Sequence, residues 1–206
     1  MPSPTKILVI RFSSIGDIVL CTPVLRALKH QLDGEVEIHF ITKKQFASLV
    51  ETNANVDRVI TIEKHVSEAK SALQSTTYDY VVDLHNNLRS RQVKRIVKAM
   101  DFTVDKRNFA KWLYVNTKTE LLPIGHFVQR CLRCVAPLGV EDDGLGLDFT
   151  IPTDQVVPIS NLLQNFQSGF LTYAIGGQMP GRSQHLKSLS WPQKLNQPIV
   201  LLGEGR

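Results

Sequence analysis

Residues Lys6 to Pro23 read K-I-L-V-I-R-F-S-S-I-G-D-I-V-L-C-T-P. The first seven are rich in Ile and Val, with Pro4 before them and the Ser13 to Gly16 turn after them. An apolar run of that length, closed by small polar residues, is how a strand buried on both faces looks, and such strands belong to parallel sheets. From Asp17 to Leu32 the apolar residues Ile18, Leu25, Leu28 and Leu32 follow a helical pattern. Pro23 lacks a backbone donor, so it either kinks this run or opens its main part behind Thr22. A short turn of helix followed by a longer helix is expected.

The same rhythm continues along the chain. Val36 to Thr42, Arg58 to Ile62 and Tyr80 to His85 read as strands, and Lys43 to Glu51, Val66 to Ser75 and Arg89 to Met100 as helices. Such alternation predicts an α/β fold, a Rossmann-like parallel sheet with right-handed crossovers. Phe102 to Val104 is a candidate fifth strand, and Gly125 to Leu138 is an amphipathic helix. Pro152 to Phe166 reads as a helix that carries the chain to a second domain, whose strands are Phe170 to Ile175 and Pro198 to Leu202, with a helix around Trp191. The expected organisation is a Rossmann-like domain over residues 1–150, a connection over 151–168, and the incomplete start of a second domain over 169–206.

With 43% hydrophobic and 21% charged residues, the 206-residue chain has the balance of an ordinary globular protein. Its apolar runs, the longest near Ile7 to Ile10, are far short of the ~20 residues of a membrane span, and Met1 to Lys6 lacks the layout of a signal peptide. A cytoplasmic location is expected. The 24 Lys and Arg against 19 Asp and Glu give a net charge of +5, which favours anionic ligands or surfaces. Cys21, Cys131 and Cys134 are an odd set with one lone C-x2-C pair, so they read as reduced thiols, with no metal site expected.

Chemistry concentrates where the first strand ends. Ligands of open α/β sheets bind at the carboxyl ends of the strands, and there Ser13, Ser14 and the first helical N–H groups offer donors while Gly16 leaves room for close approach. Asp17 would repel a phosphate and suits a general base that takes a proton from a hydroxyl. From spacing alone, the commoner reading of Asp17 is a first-turn or capping carboxylate worth about 0.5–2 kcal/mol. G-x-G-x-x-G and an acidic ribose partner are missing, which counts against a nucleotide-dependent oxidoreductase. Arg91, Lys94, Arg95 and Lys98 fall on one helix face opposite Val93, Ile96, Val97 and Met100, the pattern of a solvated surface.

The string K-I-L-V-I-R-F-S-S-I-G-D-I-V-L-C-T-P-V-L-R-A-L-K closely resembles the opening of glycosyltransferase family 9, which includes the lipopolysaccharide heptosyltransferases. Y-D-Y-V-V-D-L-H-N-N-L-R-S at Tyr78 to Ser90 resembles the family's second signature, and H-F-V-Q-R-C-L-R at His126 to Arg133 resembles a later helix. The resemblance implies the N-terminal, acceptor-binding half of a GT-B architecture of two Rossmann-like domains. It implies inverting, metal-independent transfer of a heptose or related sugar from an ADP-sugar to the inner-core saccharide of lipid A, with no cofactor. Asp17 would be the base. Ser13, Ser14, Gly16, Asn86, Asn87, Arg89 and His126 would line the acceptor, although His126 reads equally well as a structural histidine. Lys106, Arg107 and Lys111 could add contacts to acidic sugars or to the inner face of the inner membrane; no nucleic-acid partner is expected. Gly176, Gly177, Arg182 and Lys187 are the candidates for the donor phosphates.

The second domain departs from the family pattern. Its glycine loop and Trp191-Pro192 are present, but the lysine expected two residues before Trp191 is Leu189. The later nucleotide-binding elements have no counterpart before Arg206. The expectation is an impaired transferase, the alternative being a non-catalytic acceptor-binding fragment or gene remnant.

Overall fold

Both faces of β1 (Thr5–Ile10) are covered, which is why its sequence is continuously apolar. Ile7 and Val9 point into one core, with Leu25, Leu28, Phe40 and Val82, while Leu8 and Ile10 point into the other, with Ile41, Leu73, Val81 and Val93. The computed structural model describes residues 3–105, 126–158, 161, 169–174 and 198–202. They divide into two compact units, Met1–Ile151 and Pro152–Arg206.

In the first unit a parallel five-stranded sheet has the order β3-β2-β1-β4-β5, with β2 (Val36–Lys43), β3 (Arg58–Ile62), β4 (Tyr80–Asp83) and β5 (Met100–Thr103). One face carries α1 (Ile15–Val19), α2 (Thr22–Gln31), α3 (Ser48–Glu51) and α6 (Phe127–Val135), which supply Ile18, Leu25, Val50 and Cys131 to its core. On the other face lie the 3₁₀ turn Val66–Ala69, α4 (Lys70–Gln74) and α5 (Leu88–Val97). Pro23 stands in the first turn of α2, where a missing N–H costs nothing, so the helical run splits into a short and a long helix as expected.

Several boundaries differ from the expected ones, each for a local reason. Lys43 to Glu51 is a 3₁₀ turn, Lys44–Phe46, followed by the single α-turn of α3. β4 stops at Asp83 because its carboxylate Oδ1 accepts the N–H groups of His85 (3.0 Å) and Asn86 (2.7 Å), turning the chain, and Asn86 adopts φ 50°. α5 ends at Val97, capped by Lys98 at φ 58°, and Met100 opens a strand instead of completing the helix's apolar stripe. Lys94 also leaves the expected solvated face. Its ammonium donates to Asp101 (2.7 Å) and Thr103 (2.8 Å) and lies 3.7 Å from the buried Asp83.

Residues 141–148 are fastened along α2 by a buried arginine. Arg26 donates to both oxygens of Asp143 at 2.6 and 2.7 Å, to Asp148 at 2.5 Å and to the Gly146 carbonyl at 2.9 Å. The guanidinium, helped by the Leu145 N–H, holds the Asp143 carboxyl at about 2. A depressed carboxyl contributes stability above its ordinary value near 3.8, and that contribution is lost as pH falls toward 2. We therefore expect acid to loosen this fastening: between pH 5 and pH 2 the thermal midpoint should fall less in Asp143→Asn than in wild type. Equal falls would contradict this assignment.

In the second unit β6 (Leu171–Ala174) pairs in parallel with β7 (Ile199–Leu202). The helix expected over Pro152 to Phe166 is absent from residues 152–158, which hold only the 3₁₀ turn Thr153–Gln155. Pro158 disfavours helical backbone at the residue before it, and Val156 is already extended. Trp191 and its expected helix lie outside the described residues.

Candidate acceptor site at the carboxyl rim

Asp17 follows the carboxyl end of β1, in the first turn of α1, and its side chain is 37% exposed. Its oxygen Oδ2 accepts the Ser14 N–H at 3.3 Å and the Ser14 hydroxyl at 3.0 Å. The Arg11 guanidinium stands 2.5 Å away on the same oxygen. Partial burial pushes the carboxyl up, but Arg11 and the two Ser14 donors outweigh it and hold Asp17 below the usual carboxylate range. The two oxygens of this side chain are thus placed differently. Oδ2 closes the turn, whereas Oδ1 accepts no hydrogen bond from the described residues.

Of the other expected acceptor contacts, Ser14 spends both donors on Asp17. Ser13 is half-exposed beside it, and a methyl built on Gly16 would meet nothing within 4 Å, so the space over the turn is open. Asn86 donates to the Val104 carbonyl at 2.9 Å, and Asn87 caps α5 by accepting the Ser90 N–H at 2.9 Å. Both amides hold the loop in shape. His126 caps α6, its Nδ1 accepting the Val128 N–H at 3.4 Å, and it borders a hollow shared with Pro23, Asp142 and Leu147. Gly176, Gly177, Arg182 and Lys187, with Lys106, Arg107 and Lys111, lie outside the described residues.

Arg89 is exposed in the first turn of α5 and lines a cleft of about 740 Å³. The cleft is also bordered by Lys64, Lys70, Arg95, His65 and Gln92. The nearby Glu68 is spent locally, accepting the backbone N–H groups of Glu63, Lys64 and His65 at 2.6, 3.1 and 2.8 Å. The cleft therefore presents cations from two elements, one after β3 and one after β4. The sequence alone does not group Lys64 and Lys70 with Arg89, because 19 or more residues separate them in the chain.

Arg11 is likewise not singled out by spacing. A single charge closing an apolar strand calls for a partner, and that was the available signal. The partners are distant in sequence: the Leu84 carbonyl accepts from Nη1 at 2.5 Å, and the Phe127 ring of α6 lies 5.0 Å below the guanidinium carbon.

No protein-family model matches the chain. A lipopolysaccharide heptosyltransferase 1 from Campylobacter coli is 25% identical over 127 residues, which cover 59% of this chain and 37% of that protein. Among solved structures, a family 9 glycosyl transferase from Veillonella parvula matches 96% of this chain and 62% of its own with a TM-score of 0.70 at 17% identity. The fold is that of the family 9 glycosyltransferases. The E. coli heptosyltransferase WaaC, solved with ADP, matches 96% of this chain and 66% of its own at a TM-score of 0.66 and 20% identity. E. coli ADP-heptose lps heptosyltransferase II gives 0.57 at 15% identity, over 96% of this chain and 64% of its own. This chain thus spans less than two thirds of each of these family 9 structures. Among the described residues no helix is long and apolar enough to cross a membrane.

Proposed function

We propose that the first unit binds the acceptor of a sugar transfer and supplies Asp17 as its base, acting with a unit that binds the nucleotide sugar. The observation that carries this reading is the half-exposed Asp17 at the carboxyl rim, its Oδ2 held by Arg11 and Ser14 and its Oδ1 open, with the cationic cleft on the same rim. The relatives support the proposed substrate class: one is named for lipopolysaccharide, and a WaaC structure was solved with ADP-2-deoxy-2-fluoro heptose. The proposed reaction moves a heptose or related sugar from its ADP carrier to an inner-core saccharide. The acceptor hydroxyl gives its proton to Asp17 while its oxygen bonds to the anomeric carbon from the side opposite the diphosphate. The bond to ADP breaks, ADP leaves with the electron pair, and the configuration inverts. Cationic groups and backbone N–H donors, rather than a metal, are proposed to hold the diphosphate, with Gly176, Gly177, Arg182 and Lys187 as candidates. Work at the cytoplasmic face of the inner membrane fits a lipid-linked acceptor.

The test is heptose transfer by this unit joined to an ADP-heptose-binding unit, read as glycosylated acceptor and released ADP; no product would overturn the reading. Acceptor capture can be read separately. Arg89→Ala should weaken binding of a phosphorylated inner-core saccharide to the 206-residue chain by about tenfold, in keeping with a charge-assisted bond of ~1.5–3 kcal/mol partly screened at an exposed site. Calorimetry at two salt concentrations would measure it, and unchanged affinity would dismiss Arg89 from the site.

A further inference from the structure

We infer that Arg11 is a positioning residue for Asp17, holding Oδ2 so that Oδ1 alone faces the acceptor hydroxyl. The inference rests on the base role proposed for Asp17 and adds the device that aims it. Arg11 is 7% exposed, and its guanidinium is held on three sides. Nη1 donates to the Leu84 carbonyl at the end of β4, Nη2 meets Asp17 Oδ2, and the face of the group rests on Phe127. Arg130 packs against that ring as well, its guanidinium carbon 5.2 Å from the ring centre. Arg11 is thereby fixed to the end of the strand neighbouring its own and to α6, which packs on the same face of the sheet as α1, so its place does not depend on the exposed turn that it orders.

The consequence is geometric. Ser14 alone could hold Asp17 to its own turn, but both Ser14 bonds are local and move with the turn. Arg11 ties the carboxylate to the sheet. A base must reach within about 2.6–3.2 Å of the proton it takes, and a shift of about 1 Å can cost about 10²-fold in rate. The same contact keeps the carboxylate charged, which a half-buried acid otherwise resists.

The experiment is a ¹³C NMR titration of the Asp17 carboxyl in the full 206-residue chain, for wild type, Arg11→Lys and Arg11→Gln. Wild type should titrate below ordinary aspartate, Arg11→Gln should move the midpoint upward, and Arg11→Lys, which restores the charge without the fork, should lie between them. A merely structural role for Arg11 would leave the midpoint of every folded variant unchanged, and that result overturns the inference. If Arg11→Gln does not fold, Arg11→Lys still decides, since a wild-type midpoint in that variant together with an unchanged Asp17 carboxyl shift would show that the paired fork does not hold the carboxylate. The titration reads Asp17 directly, so its failure is distinct from failure of the base role, which transfer by Asp17→Asn reports.

Discussion

Asp17→Asn should lower the rate of sugar transfer by about 10²–10⁴-fold, the range that a positioned general base contributes. Asparagine keeps the shape and can still accept from Ser14, so the turn that closes β1 should survive, and the loss should fall on the chemical step rather than on acceptor affinity. The dependence on pH has a definite sign. Because Arg11 and Ser14 hold the carboxyl below its ordinary range despite partial burial, the base is already ionised through neutral pH. Its contribution is lost only as pH falls through that lowered value, so the acid limb of wild-type transfer should lie below the range of an ordinary aspartate and should vanish in Asp17→Asn. Product formation across a pH series, with the unit joined to a nucleotide-sugar-binding unit, measures both effects. A variant that keeps more than a tenth of the wild-type rate would remove Asp17 from the chemistry.

The geometry around the candidate site is legible where its contacts are local and illegible where distant segments build it. The capping reading of Asp17, the commoner one from spacing alone, is met in the turn that closes the apolar strand, since Oδ2 is bonded to Ser14. Asn87 is expected as an acceptor contact, yet Asn-x-x-Ser ahead of a helix is a capping pattern, and Asn87 meets Ser90 in that way. The contacts of Arg11 are not legible from its neighbours, because Leu84 and Phe127, the residues that fix it, follow it by 73 and 116 positions. The cationic cleft is hidden in the same way, since only the pairing of β3 and β4 to either side of the central strands brings Lys64 and Arg89 to one rim. The strands of the first unit were plain because burial on both faces leaves a sequence little choice but Ile, Val and Leu. Their ends were not, since single side chains such as Asp83 turn the chain.

A pair of substitutions separates what periodicity suggests from what packing requires. Leu8→Ala should destabilise the first unit by about 2–5 kcal/mol, the range for emptying a buried leucine site, while Met100→Ala should be nearly neutral. Leu8 has no exposed surface, and its strand lies at the centre of the sheet, so β2 and β4 both hold β1 in register and leave little freedom for the hole to collapse. Against a typical stability of about 5–15 kcal/mol, the loss is large, equivalent to a fall of about 5–20 °C in thermal midpoint. Met100 would be equally costly if it completed the apolar stripe of α5, as its spacing from Val93, Ile96 and Val97 suggests. It is instead the first residue of β5 and 66% exposed, so truncating it removes little buried surface. Thermal or denaturant unfolding of the two variants under one set of conditions decides between these placements. A marked loss in Met100→Ala would place that side chain inside the core and the end of α5 where the helical spacing puts it. A negligible loss in Leu8→Ala would mean that the central strand is not packed on both of its faces.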